Sequence, residues 1–299
     1  MAYRSIMIES PARLSLRDGQ LVIHTEREHT APLEDISALL LENNRSTITT
    51  AALARLGQCG CAVFLCDEKH IPCAVLTPFQ QHSRALAVLR SQLDASEPLK
   101  KRLWQSVVKA KIGNQALCLR MAGKEGEAQA LFSLAERVRS GDSENAEATA
   151  AQLYFPALFG GDFTRSEENG WNAALNYGYA ILRGCTARTL SVYGFLPSLG
   201  IHHRSTLNAF NLADDLMEPF RPLADLLVHS SMGPEDTLTT ERKRMLFNCL
   251  NLDILSGGQR HSVSYAIDRE VQSLRRALED KQAERTLPTL AELKQHSYE

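Results

Sequence analysis

The stretch Ala12–Glu26, ARLSLRDGQLVIHTE, alternates apolar and polar residues on both sides of Asp18-Gly19. Such alternation sends successive side chains to opposite faces of a strand, and Asp-Gly supplies the two positive-φ positions of a type I′ turn. This hairpin makes the beginning of the chain β-rich. Working outward, Ile6 and Ile8 alternate with Met7 and Glu9, and Ile36–Leu41 is another apolar run. Ser46 or Thr47 then caps a short helix through Leu56, stopped by Gly57. Cys61–Cys66 and Ile71–Leu76 form a second strand pair around Asp67-Glu68-Lys69. These elements define a small β-rich domain over residues 1–77, ending near Thr77-Pro78.

From there the pattern is helical. Phe79–Asp94 reads as a connecting helix within a linker over 78–95, and Ser96-Glu97-Pro98 opens the next, with Pro98 tolerated in a first turn. That helix carries Leu99, Leu103, Val107 and Ala110 on one side, while Lys100, Lys101, Arg102, Lys109 and Lys111 spread over the rest as a solvated face. Helices follow over Glu125–Arg139, Glu144–Phe159, Trp171–Tyr193, Thr239–Leu252 and His261–Lys281. Ser256–His261 is a basic loop in which Gly257-Gly258 makes a turn. The expected fold class is α+β in two domains: the β-rich part, then an all-α domain over 96–287. The segment 288–299 is short and polar, the composition of a loosely held tail.

The 299 residues suffice for two domains with real cores, and 44% hydrophobic with 23% charged residues is ordinary for a folded globular protein. A formal net charge of −2 excludes a broadly basic protein but not local basic patches. No apolar run reaches the length of a membrane span, and the signal-peptide pattern is missing, so a cytoplasmic protein is expected. Of the seven cysteines, Cys59, Cys61, Cys66 and Cys73 lack paired C-x2-C spacing and read as reduced thiols in a cytoplasm, not as a zinc site.

The chemistry concentrates in Gly200–Pro222, GIHHRSTLNAFNLADDLMEPFRP. Two histidines precede a helix on which Asn211, Asp215 and Glu218 share a stripe, with Asp214 beside Glu218. Three carboxylates crowded together repel unless a cation sits among them. Carboxylates with imidazole suit Mg²⁺ or Mn²⁺, whereas ion pairs of Asp214, Asp215 and Glu218 with Arg204 or Arg221 explain the cluster equally well. Spacing does not choose between His202 and His203. The phosphate-loop, nucleophile-elbow and zinc-helix motifs are all missing.

The segments E-A-T-A-A-Q-L-Y-F (Glu147–Phe155), L-G-I-H-H-R (Leu199–Arg204) and A-D-D-L-M-E-P-F-R-P (Ala213–Pro222), with P-L-E-D-I-S (Pro32–Ser37), resemble the CRISPR adaptation integrase family. The likeness extends over almost the whole chain and is greatest to the type II version. Ala148 stands where many relatives have glycine, a change that a helix tolerates. The resemblance implies that Glu147, His203 and Glu218 bind one Mg²⁺ or Mn²⁺ and are catalytic, with Asp215, His202 and Tyr154 in support. It also implies insertion of short DNA segments (protospacers) into a CRISPR repeat by 3′-hydroxyl attack on a phosphodiester, in antiviral immunity. Arg84, Lys101, Lys109, Arg183, Arg260 and Arg269 would then contact the backbone of double-stranded DNA. The implied assembly is a homodimer, formed through the β-rich domain and bridged by a small ferredoxin-like partner into a heterohexamer. The competing readings are a non-catalytic DNA-binding scaffold with a structural acidic cluster and, more weakly, a small-substrate phosphohydrolase with a closed pocket.

Overall fold

The structure, a computed structural model, describes residues 4–78 and 84–297. Its first part holds strands β1 (Arg4–Ile8), β2 (Arg13–Arg17), β3 (Gln20–His24), β4 (Glu28–Pro32), β5 (Ile36–Leu41) and β6 (Thr47–Ile48). Helix α1 (Thr50–Gln58), β7 (Ala62–Cys66) and β8 (Pro72–Leu76) complete it. The hairpin forms as expected: Arg17 pairs with Gln20, and Asp18 and Gly19 adopt φ of 49° and 74°. The cap of α1 is Thr49, whose side chain accepts from the Ala52 amide; Thr47 is instead drawn into a strand beside Arg13.

Two four-stranded sheets result, ordered β4-β3-β2-β6 and β1-β5-β7-β8. In the second, β1, β5 and β7 run parallel and β8 returns antiparallel. Both of its faces are covered, which is why Ile36–Leu41 is apolar without a polar side. Leu39, Leu41 and Val63 face the hairpin sheet and α1 in one core. Ala38, Leu40, Ala62 and Phe64 face the other way and join the core of the helices.

The helical part comprises α2 (Ala85–Leu93), α3 (Glu97–Met121), α4 (Glu125–Arg137), α5 (Ala146–Phe159), α6 (Gly170–Val192), α7 (Asn211–Met217), α8 (Arg221–Ser231) and α9 (Thr240–Phe247). It closes with β9 (Asp253–Ser256), β10 (Gln259–Ser262), α10 (Val263–Glu279) and β11 (Pro288–Thr289). The expected start of the connecting helix, residues 79–83, lies outside the described residues. Central helix α6 comes close to the sheet because Gly184 leaves room for the Phe64 ring.

Two expectations are corrected here. The basic Ser256–His261 loop is a hairpin: Ser256 pairs with Gln259 across Gly257-Gly258, whose φ of 61° and 77° make the two-residue turn. The helical domain therefore carries a three-stranded sheet, ordered β10-β9-β11. The polar tail is held down, not loose. Pro288 and Thr289 pair with β9, Leu290 and Ala291 are buried, and the amides of Asp253 and His296 donate to the carbonyls of Lys294 and Asn251 respectively. Leu290 and Ala291 are the apolar anchors that a reading by average composition overlooked.

Candidate active site

Four elements converge beside the parallel sheet. Helix α5 begins on Asp142, whose two carboxylate oxygens accept from the amides of Ala146 (2.8 Å) and Glu147 (3.1 Å). This cap satisfies two of the unpaired N–H groups at a helix start and places Glu147 in the first turn. Glu218 occupies the 3₁₀ turn Glu218–Phe220 between α7 and α8. Lys111 comes from the middle of α3, and His203 from the loop before α7.

That loop is clamped by two side chains of α7. Buried Asp215 accepts from the amides of Ile201 (2.5 Å), His202 (3.0 Å) and His203 (3.1 Å). Asn211 donates to the carbonyls of Ser198 (3.0 Å) and Ser205 (2.8 Å). Asp215 Oδ1 also lies 2.6 Å from Nδ1 of His203. A carboxylate can only accept, so Nδ1 carries the proton and Nε2 is left for another partner. The hydrogen bond that His203 donates to Asp215 raises its pKa above the ordinary 6.5, against burial, which lowers it. His202 is exposed and stacks on Trp104 of α3, with centroids 4.2 Å apart and planes within 2°.

Lys111 joins the two glutamates. Its ammonium is 2.6 Å from Glu147 Oε1 and 2.5 Å from Glu218 Oε2, and Arg221 Nη1 is 3.1 Å from Glu218 Oε1. The Lys111 contact with Glu218 has the distance of an ion pair without hydrogen-bond alignment, so Oε2 stays buried with no hydrogen-bond partner. Burial alone would raise the Glu218 pKa, yet Lys111 and Arg221 hold it below 4.5. Burial would lower that of Lys111, and Glu218 with Glu147 hold it above 10.5. The reading of Lys111 as part of a solvated face is thus corrected. It follows Val107 by four residues and Val108 by three, and those spacings mark it as a lysine on a buried stripe.

The ion pairs required by the structural reading of the cluster are partly present. Glu218 pairs with Arg221, Asp214 pairs with Arg183 (2.7 Å), and Arg204 pairs with Glu97 (2.7 Å) instead of the cluster. Tyr154 turns into the core, its hydroxyl 2.9 Å from Asp225 Oδ2 and 3.2 Å from Cys118 Sγ. Arg84, Lys101, Lys109 and Arg260 are exposed. Arg260 reaches Asp253 (3.5 Å), and Arg269 contacts His261 (2.9 Å). All seven cysteines are free.

A cleft of about 350 Å³ opens beside His203, between strand β8 and helix α6. Arg183, Arg221, Tyr179 and Asp214 line its helical side and Phe64 its sheet side. Both arginines already have carboxylate partners, Arg183 in Asp214 and Arg221 in Glu218, and the His203 imidazole lies on the same cleft. For a divalent cation, the oxygen and imidazole donors fit, a cation already bridges the two glutamates, and Glu218 Oε2 lacks a hydrogen bond. Among the described residues no three His, Cys, Asp or Glu side chains are spaced around a single ion as they stand.

Fold and site together define a two-part α+β protein with a carboxylate–histidine–lysine cluster in its helical half. The family described as CRISPR associated protein Cas1 matches residues 6–241. The chain belongs to that family. It is 46% identical over 304 residues to the CRISPR-associated endonuclease Cas1 of Neisseria meningitidis serogroup C (strain 8013), covering 100% of both. Among solved structures, a casposase bound to integration product superposes with a TM-score of 0.74 at 18% identity, over 94% of this chain and 91% of that one. A partial Cas6-RT-Cas1–Cas2 complex gives 0.64 at 21% identity, over 97% and 99%.

Proposed function

We propose that this protein is a metal-dependent DNA endonuclease and integrase that inserts short foreign DNA segments into a CRISPR array. The observation that carries the reading is the meeting of Glu147 and Glu218 on one cation, beside a histidine whose Nδ1 is engaged by Asp215. The full-length similarity to a relative named as an endonuclease supports it. Glu147, His203 and Glu218 would hold Mg²⁺ or Mn²⁺, which when bound neutralises phosphate charge and favours ionisation of an attacking hydroxyl.

The chain's own residues then have definable tasks. Asp215 fixes the imidazole and the loop that carries it. Arg183 and Arg221 place positive charge along the cleft that a phosphodiester would enter. In transesterification a 3′-oxygen bonds to phosphorus as the resident P–O bond breaks, so no ATP is consumed. The likeness to a Cas1–Cas2 complex supports assembly with a small partner. Homodimerisation through the β-rich part, the domain limits 1–77, 78–95 and 96–287, and a cytoplasmic location belong to the same proposal. Among the described residues no helix is long and apolar enough to cross a membrane.

The test is an integration assay with the small partner, Mn²⁺, a protospacer duplex and a repeat-bearing plasmid. Glu147→Ala, His203→Ala and Glu218→Ala should each reduce integration by more than the roughly 10–100-fold typical of residues that only orient ligands. Unimpaired integration by Glu147→Ala would remove the proposed site. The scaffold reading draws on the pairing of Glu218 with Arg221 and Lys111. It requires DNA binding and partner assembly to survive in all three variants with no integration in the parent protein.

A further inference from the structure

Lys111 is a buried lysine whose charge is committed to two carboxylates from different elements, Glu147 of α5 and Glu218 of the α7–α8 turn. Lys111 and Glu218 are buried and Glu147 is half-buried, and an ammonium between two carboxylates offsets the cost of burying charge only while it stays in place. The same two oxygens are those that a divalent cation needs, and two cations cannot share them at contact distance without strong repulsion. Both contacts are short, 2.6 Å to Glu147 and 2.5 Å to Glu218, but the ammonium sits on a flexible four-carbon stem that lets it swing away without moving α3.

We infer that Lys111 is a resident counter-ion that occupies the carboxylate pair in the metal-free protein and moves aside when a divalent cation binds. The inference rests on the reading of Glu147, His203 and Glu218 as ligands, and it adds an element of regulation. The metal-free site is kept folded and neutralised, and metal affinity is held down by internal competition. Loading of the site is then an exchange of one cation for another, not the filling of a hole.

The experiment is calorimetric titration of the full chain with Mn²⁺, together with thermal melts in chelator and in Mn²⁺, for the parent, Lys111→Met and Glu147→Gln. Lys111→Met should bind Mn²⁺ more tightly, by about tenfold or more, the scale of coupling between close charges. It should also melt lower than the parent in chelator and recover most of that loss in Mn²⁺. Should Lys111→Met fail to fold, lysine-selective acylation of the parent chain, read by mass spectrometry, gives the answer. Lys111 should label faster in Mn²⁺ than in chelator, and this gain should vanish in Glu147→Gln. If Glu147→Gln abolishes Mn²⁺ binding while Lys111→Met binds no tighter, the exchange is overturned and the ligand assignment stands. If Glu147→Gln binds Mn²⁺ as the parent does, the ligand assignment itself fails, and the exchange falls with it.

Discussion

At the scale of single residues, Asp225 of α8 is buried with its oxygens facing two phenols, Tyr154 (2.9 Å) and Tyr179. Burial pushes its pKa up to about 6 in spite of those donors. Its folded-state value lies above the ordinary 3.8, so protonation favours the folded protein. That contribution is complete below about pH 4 and is lost as pH rises through about 6. Asp225→Asn cannot ionise, so urea denaturation should show it gaining stability relative to the parent as pH rises from about 4 through about 6, with the difference levelling off above that. Asp215 acts on the site through His203 and the loop amides. Asp215→Asn should therefore cost integration about 10–100-fold, with the main loss in metal affinity measured by Mn²⁺ titration. Glu147, His203 and Glu218 could be named in the sequence because whole segments around them matched a family. Spacing alone leaves His203 and Glu218 undistinguished from His202 and Asp215, and gives Glu147 no part in the cluster. Lys111 was missed because Lys100, Lys101, Arg102 and Lys109 on the same helix pointed to a solvated face.

At the scale of elements, local chemistry was legible and long-range pairing was not. Asp18-Gly19 specifies its turn within two residues, and alternation in the flanking strands sets the register. Nothing in Ile36–Leu41 says that it lies between β1 and β7, since those parallel partners come from distant segments. Pairing of Ser256 with Gln259 makes the Gly257-Gly258 turn as compact as Asp18-Gly19, yet its short polar flanks hid the strands. Helix α6 makes one element-level prediction. Gly184 faces the Phe64 ring with no room for a methyl group. Gly184→Ala should destabilise by about 1–3 kcal/mol through overpacking, seen as a lower denaturation midpoint with unchanged helical circular dichroism.

At the scale of the molecule, the two parts share a core. Ala38, Leu40, Ala62 and Phe64 of the parallel sheet pack with the helices, and a buried ion pair crosses the same boundary, Lys243 to Glu42 at 3.1 Å. Arg244 reaches Glu9 (2.5 Å) beside it. Lys243→Met would leave Glu42 buried with a single exposed-side partner, His70, and should cost about 3–5 kcal/mol. The parent chain should unfold in one transition, with tryptophan fluorescence from Trp104 and Trp171 following the same curve as the sheet's infrared signal. Composition and the change of pattern near Thr77 were enough to read two parts, but not that the sheet between them is buried on both sides.

The tail that pairs with β9 has a consequence for the order in which the protein comes into being. Asn114 of α3 donates to the carbonyls of Pro219 (2.7 Å) and Pro288 (3.1 Å) and accepts from the amide of Leu290 (2.9 Å). One side chain thus ties the turn that carries Glu218 to a segment 174 residues after Asn114 itself. At roughly 5–20 residues per second, a ribosome delivers that segment on the order of ten seconds or more after Asn114. The turn beside Glu218 therefore shares its Asn114 anchor with residues that are made long after it, and that three-way tie closes only once Pro288 and Leu290 have emerged.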